Sequence, residues 1–390
     1  MRFLCFSFLS PPGTDAESAC TGRFLSALAA EGHVVKLISL DHRSSRNHLD
    51  VETERELLNP SIEVVRMPIR NDSLIRRVFS KIKHGLFGIC TEYIDYAIDI
   101  VREDLKRNPG TILITRSAWP TSNIVGWRCR KLAKMWIPHF SDPFPSYKRM
   151  RIKEYWRYPF AYLWLVRFLR DSSFISVTCH NAIRYFDAVT FNKFHSKFYI
   201  TYHIGFPRLS SVGFSVPRDD TKKVIAHVGA LFSGRPVARF AEFVSRIPGV
   251  RFLQFGKVYG HREGFDICKI ESPKMATDAM ATADAILVCD LDSGFGYTPY
   301  LPSKFAYALA LGKPIICLTT PDSEMAMLSK KIRGVYYVDM TIPWGDEVVN
   351  LMEGLVNGDL CPPPISDVTF VMPETVAKGF LERVKETLGE

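Results

Sequence analysis

The stretch Tyr300-Leu-Pro-Ser-Lys-Phe-Ala-Tyr-Ala-Leu-Ala-Leu-Gly-Lys-Pro-Ile315 reads as a loop, a helix and the start of a strand. Pro302-Ser303 opens the helix, since both residues suit a helix N-terminus. Gly312 closes it, as glycine accepts the left-handed conformation that follows a last turn. Pro314–Leu318 then continues as a short apolar run, and Ala285–Cys289 forms another upstream. Apolar runs of this length on either side of a helix are strands buried on both faces, joined by a crossover. The unit predicts a parallel sheet with helices on both sides.

The same unit recurs along the chain. Further strands are expected in the second half at Lys223–Val228, Val250–Phe255 and Val335–Val338, with helices over Val237–Arg246, Ser323–Lys330 and Glu347–Val356. In the first half, strands are expected at Arg2–Phe8, Val34–Leu40, Ile62–Met67, Thr111–Thr115, Trp136–Phe140, Phe174–Cys179 and Phe198–His203. Helices are expected over Ala16–Ala30 and Tyr93–Lys106. The fold class is α/β, with two doubly wound parallel-sheet, Rossmann-like domains facing a cleft. Ligands of such sheets bind at the carboxyl ends of the strands.

Several facts place the boundary near residue 210. The segment Leu209–Thr221 is rich in Ser, Pro and Asp and precedes a fresh strand. Residues 1–210 carry 31 Lys and Arg against 19 Asp and Glu, whereas the rest carries 19 against 22. The expected domains are 1–210, 211–370 and a C-terminal helix within 371–390 that could dock on either. A basic first half favours an anionic partner. With 390 residues, 47% of them hydrophobic and 23% charged, the chain is long and apolar enough for two cores and is not disordered. No apolar run reaches a membrane-spanning length. Nine scattered cysteines without a Cys-x-x-Cys pair argue against a disulfide framework and a structural zinc, and fit a reducing cytosol. The apolar start, Met1–Ser10, imitates a signal peptide but is followed by Pro11-Pro12-Gly13, so a buried first strand is expected.

Two segments could carry chemistry. In His227-Val-Gly-Ala-Leu-Phe-Ser-Gly-Arg-Pro236 a strand runs into a glycine loop and then a helix. Glycines let the backbone approach a ligand, the helix N-terminus offers N–H groups to a phosphate, and Arg235 adds a charged fork. The plain alternative is a strand-to-helix turn with a surface arginine. In the second segment Lys304 lies in a helix first turn, where a cation opposes the helix dipole unless an anion sits there. The alternative is a lysine that reaches water. An Asp-x-Asp at Asp290 and Asp292 could hold a divalent cation, though a solvated strand-end loop reads the same way.

Taken in order, Val228-Gly229, Arg235, Phe255-Gly256, Ala283-Asp284, Pro302-Ser303-Lys304 and Gly312-Lys313-Pro314 resemble the donor half of the GT-B glycosyltransferases, in particular glycosyltransferase family 4. In the first half, Gly13, Gly32-His33-Val34-Val35, Ser141-Asp142-Pro143-Phe144 and Tyr202-His203-Ile204-Gly205-Phe206 are similar to that family too. The resemblance implies retaining, metal-independent transfer of a sugar from a nucleotide diphosphate donor, UDP or GDP, with no cofactor. It implies donor contacts from Gly13, Gly229, Arg235, Gly256, Ser303, Lys304 and position 307. It implies catalytic contacts to the sugar or acceptor from Asp142, Arg116 and His203; Arg116 falls where many members place a histidine. Asp142 also reads as an Asp-Pro turn residue, and His203 and His180 as structural histidines. One departure stands out. The family's Glu-x7-Glu pair, which holds the donor ribose, is replaced by Pro299 and Tyr307.

Between Arg128 and Arg170, basic residues interleave with Trp, Tyr and Phe; Lys148, Arg149, Arg151, Lys153 and Trp156 are at its centre. That mixture suits an anionic membrane surface. A core with a solvated face reads similarly, and nucleic acid is disfavoured for want of any recognisable binding motif. Pro159 is expected to break a helix there. The expected function is transfer of a sugar to a growing, lipid-linked cell-envelope glycan, by a cytoplasmic enzyme peripheral to the membrane. Two alternatives share the fold. A nucleotide-sugar epimerase or hydrolase would need a carboxylate such as Glu17 or Asp142, and a non-catalytic relative would fit Tyr307 and Pro299. A dinucleotide-dependent dehydrogenase lacks its Gly-x-Gly-x-x-Gly.

Overall fold

The computed structural model describes the chain apart from residues 14, 42–50, 69–72, 85–92, 118–119, 146–155, 206–214, 217–220, 232–235, 259–265, 271–272 and 292–295. It divides into two compact units, Met1–Tyr202 with Val376–Glu390, and His203–Thr375.

The first unit alternates β1 (Arg2–Ser7), α1 (Ala16–Ala30), β2 (Val34–Leu40), α2 (Val51–Leu57), β3 (Glu63–Met67), α3 (Leu74–Lys83) and α4 (Ile94–Arg107). It continues with β4 (Ile112–Ser117), α5 (Pro120–Cys129), β5 (Met135–Phe140), α6 (Tyr158–Asp171), β6 (Ile175–Val177), α7 (His180–Thr190) and β7 (Phe198–Ile200). The strands form one seven-stranded sheet in the order β3-β2-β1-β4-β5-β6-β7, every pair parallel. The central strands β1 and β5 are buried along almost their whole length, which explains their unbroken apolar sequences. With this strand order, the right-handed rule for parallel crossovers assigns α1 and α2 to one face of the sheet and the helices from α3 to α7 to the other.

The second unit has β8 (Lys223–Val228), α8 (Val237–Val244), β9 (Val250–Phe255), β10 (Asp266–Cys268), α9 (Pro273–Thr282), β11 (Ala285–Cys289) and α10 (Ser303–Leu311). These are followed by β12 (Ile315–Thr319), α11 (Glu324–Ser329), β13 (Val335–Asp339) and α12 (Asp346–Asn357). Its six parallel strands run β10-β9-β8-β11-β12-β13. Phe240, Phe252, Ile316, Leu318, Val338 and Met352 belong to its core, and Trp344 meets Phe240 edge-on at 5.4 Å. The last helix, α13 (Pro373–Leu388), belongs to the first unit: Phe380 packs edge-on against Phe24 of α1 at 5.0 Å and Phe174 at 5.7 Å. Lys134 and the terminal Glu390 are 2.8 Å apart.

Three details depart from the sequence reading. Pro159 does not break a helix but lies in the first turn of α6, where its missing N–H has no intrahelical partner to lose. Strand β7 ends at Ile200, so His203 lies beyond it. The edge strand β10 carries no apolar run; its residues are exposed or half-buried.

Candidate functional site

In the second unit the strand order reverses between β8 and β11, and every strand delivers its carboxyl end to the same edge. A ligand of a doubly wound sheet binds at such a reversal. The residues at that edge are tightly arranged. Gly229, directly after β8, has φ +132°, and a Cβ there would lie 2.3 Å from Lys304 Nζ and 2.7 Å from its Cε. The lysine therefore crosses the backbone of Gly229 with no room for a side chain beneath it. Gly256, directly after β9, has φ +117°, and a Cβ there would meet the Gly229 carbonyl oxygen at 2.8 Å and its carbon at 3.0 Å. Both glycines are required by conformation and by space. Lys304 and Ser303 open α10, whose N-cap Pro302 supplies no side-chain capping bond.

A buried relay holds this corner. His227 Nδ1 is 2.7 Å from Gln254 Oε1, and Gln254 Nε2 donates to the Gly229 carbonyl at 2.7 Å and the Phe255 carbonyl at 3.1 Å. With both amide hydrogens committed to carbonyls, Gln254 Oε1 can only accept, so His227 carries its proton on Nδ1. The Gly229 N–H donates to the Phe255 carbonyl at 2.7 Å. The sequence reading missed Gln254. Its signal was a lone amide within an apolar strand, two residues before a glycine.

The other sequence-predicted residues of this unit lie away from that corner or inside its helices and strands. Asp284 binds the start of β8, its Oδ2 accepting from the Val224 N–H at 2.8 Å. Asp290 is buried at the end of β11 and accepts from the Thr319 hydroxyl. Tyr307 is 7% exposed within α10. His203 is buried at the start of the unit, and Gly205 packs on Ala306 and Ala310 of α10, donating its N–H to the Val371 carbonyl at 2.9 Å. Arg235 and Asp292 lie outside the described residues. Among the described residues no three His, Cys, Asp or Glu side chains group closely enough to hold a metal ion.

In the first unit Gly13, Arg116 and Asp142 sit at or just past the carboxyl ends of β1, β4 and β5, which are neighbours in the sheet. Gly13 follows a turn in which its N–H donates to the Ser10 carbonyl at 3.0 Å. A Cβ there would meet Ser18 Oγ at 2.7 Å, crowding the Asp15 cap of α1. Asp142 is half-buried. Arg116 is only 3% exposed; its guanidinium stacks on Phe24, 4.6 Å from the ring centroid. Burial pushes the neighbouring Cys5 thiol up to about 12, with Arg116 pulling the other way. Cys5 is therefore an inert core thiol.

A second missed residue is Arg66 of β3. It donates to Ser10 Oγ at 2.8 Å and also to Ser39 Oγ, the Pro11 carbonyl and the Glu54 carboxylate. It ties the loop before Gly13 to three other elements. Lys148, Arg149, Arg151 and Lys153 lie outside the described residues. Trp156 is 51% exposed, with the Arg157 guanidinium 5.3 Å from its ring. No helix among the described residues is long and apolar enough to cross a membrane.

No family model and no curated protein sequence matches the chain. Solved structures do. A glycosyltransferase from Rickettsia africae superposes with TM-score 0.63 at 12% identity, over 99% of both chains. Anabaena HepE, solved in complex with UDP, gives 0.60 at 11% over the whole of both. The lipopolysaccharide outer core galactosyltransferase WaaB gives 0.59 at 12% over 99% of both. The chain has the GT-B fold. At such identities the likeness concerns the fold alone and leaves the site to be argued from its own residues.

Proposed function

We propose that the protein is a glycosyltransferase that moves a sugar from a UDP or GDP sugar to a glycan or glycolipid acceptor of the cell envelope, with retention and without a metal. The observation that carries this reading is the corner built by Gly229, Gly256 and Lys304 at the strand-order reversal of the second unit. Bare backbone beside an ammonium group, at a helix N-terminus, suits a diphosphate. HepE, of the same fold, is a UDP complex.

In the proposed reaction the bond between the sugar's anomeric carbon and the diphosphate oxygen breaks, and a bond to the acceptor oxygen forms. The acceptor's proton passes to the departing phosphate. Lys304, Arg235 and the first N–H groups of α10 stabilise the charge that develops on the diphosphate. Asp142 contacts the acceptor or the transferred sugar. Arg116, buried at the end of β4, contacts the transferred sugar or holds the β4 end in place for it. Tyr307 and Pro299, in place of the family's carboxylates, leave the ribose to other groups. They favour a second reading, a nucleotide-sugar binder that does not turn its ligand over.

Titration with UDP, GDP and their sugars tests both readings. Lys304→Ala and Arg235→Ala are expected to weaken nucleotide diphosphate binding while sparing the nucleoside. Equal losses for nucleoside and diphosphate contradict the phosphate assignment. Binding without sugar release or transfer favours the second reading.

A further inference from the structure

Helix α3 is built inside out. Leu74, Ile75, Val78, Phe79 and Ile82 are 47–76% exposed, whereas the one buried residue between Leu74 and Lys83 is Ser80. At about 100° per residue the five apolar positions span roughly 140° of the helix, and Ser80 lies opposite their centre. The apolar face therefore points away from the protein. Arg76, Arg77, Lys81 and Lys83 flank that face, and the helix contains no Asp or Glu. Lys83 is anchored at its C-terminal end by Asp95 of α4 at 2.8 Å. A soluble surface helix has the reverse pattern, with its apolar stripe turned inward. A second element on the same face of the sheet repeats the motif: Trp156, Phe160 and Leu163, at one-face spacing, are 50–54% exposed, with exposed Arg167 one turn further on.

We propose that α3 lies in the plane of an anionic lipid bilayer, its five apolar side chains in the acyl boundary and Arg76, Arg77 and Lys81 among the headgroup phosphates, with Trp156 and the Phe160–Leu163 face of α6 as a second contact. The charge decides the occupant: an apolar strip on a helix that carries four cations and no carboxylate complements an anionic lipid surface. The proposal stands on the surface of the first unit and does not depend on the glycosyltransfer reading.

The test is co-sedimentation of the full chain with phosphatidylcholine vesicles, with and without about one-third phosphatidylglycerol, alongside UDP and GDP binding and solution mass. The expected result is binding to the anionic vesicles that falls at least tenfold in Phe79→Ser/Ile82→Ser. Each of Arg76→Gln and Arg77→Gln is expected to reduce it roughly fivefold, the equivalent of about 1 kcal/mol per basic residue at an anionic surface. The wild-type thermal transition and nucleotide response should persist in these variants, because every altered side chain is exposed. Vesicle binding that is absent, or equal in wild type and in both variant sets, overturns the assignment of α3. So does a dimer that Phe79→Ser/Ile82→Ser converts to monomer, since a second copy then covers the face. Vesicle binding without any nucleotide response leaves α3 assigned and removes the donor reading instead.

Discussion

Alanine at Gly229 and at Gly256 should separate two kinds of crowding. Both positions have positive φ, at +132° and +117°, and a side chain there costs about 1–3 kcal/mol in backbone strain. The neighbours differ. At Gly229 the new Cβ meets the tip of Lys304, a flexible group that can swing aside. At Gly256 it meets the Gly229 carbonyl, which the Gln254 amide and the β8–β9 pairing hold in place. Overpacking against fixed atoms adds about 1–3 kcal/mol. Gly256→Ala is therefore expected to destabilise by about 2–6 kcal/mol and Gly229→Ala by about 1–3 kcal/mol. At about 2–4 °C per kcal/mol for a unit of this size, Gly229→Ala should lower the second unit's thermal midpoint by roughly 2–12 °C, and Gly256→Ala by more. Binding should show the opposite emphasis for Gly229. Displacing Lys304 removes a charge-assisted hydrogen bond worth about 1.5–3 kcal/mol, so UDP affinity should fall roughly ten- to hundredfold. Because Lys304→Ala removes the same contact, adding Gly229→Ala to it should cost little further affinity. Calorimetric titration of the two single variants and the double variant checks this. Additive losses would refute the shared contact, and equal thermal costs at Gly229 and Gly256 would refute the distinction between a mobile and a fixed neighbour.

Three further predictions concern the first unit. A Cβ at Gly126 of α5 would lie 2.3 Å from Trp136 Nε1 and 2.5 Å from Thr115 Cγ2, so Gly126→Ala should cost about 1–3 kcal/mol in urea unfolding, whereas the control Gly345→Ala in the second unit, with open space, should stay within about 1 kcal/mol. Arg66→Met strips the Ser10–Pro11 loop of its donor and leaves Glu54 unpaired; a loss of roughly 2–4 kcal/mol is expected by thermal unfolding, and a loss within about 0.5 kcal/mol would remove Arg66 as the anchor of that loop. His84 Nε2 is 3.1 Å from Asp95 Oδ1, and burial holds this fully enclosed imidazole below its usual 6.5 despite the carboxylate. The unfolded chain then protonates first, so stability is full above about pH 6.5 and falls as pH drops towards the folded value, by up to about 1.4 kcal/mol per unit. His84→Gln should flatten that part of the stability curve, and an unchanged slope would count against it.

Most strands were legible because a central parallel strand is covered on both faces and must be apolar throughout, as Phe3–Phe6 and Ile315–Leu318 are. The edge strand β10 satisfies no such demand and carries no signal. Helix α5 was missed because it is buried almost all round, leaving no polar stripe to give a period. Pro159 misled because a proline that starts a helix and one that ends it are the same residue, and only the position of the apolar run decides. In the site, Gly229, Gly256 and Lys304 were legible as ordered motifs, but their contact was not. The Cβ-free approach of Lys304 to Gly229 joins positions 75 residues apart through the sheet order. Arg66 was invisible for a similar reason: an arginine in an edge strand reads as a solvated charge until the sheet brings Ser10 and Ser39 beside it.

The central claim is that the corner at Gly229, Gly256 and Lys304 binds a nucleotide diphosphate. The most direct measurement is the shift of the thermal transition with UDP, GDP, ADP, CDP and dTDP, each compared with its monophosphate, in wild type and Lys304→Ala. Stabilisation by one base is expected, larger for the diphosphate and approaching about 2.7 kcal/mol at a hundredfold excess over Kd, with most of the diphosphate advantage lost in the variant. No shift with any nucleotide in well-folded protein, or a shift that Lys304→Ala leaves intact, would contradict it.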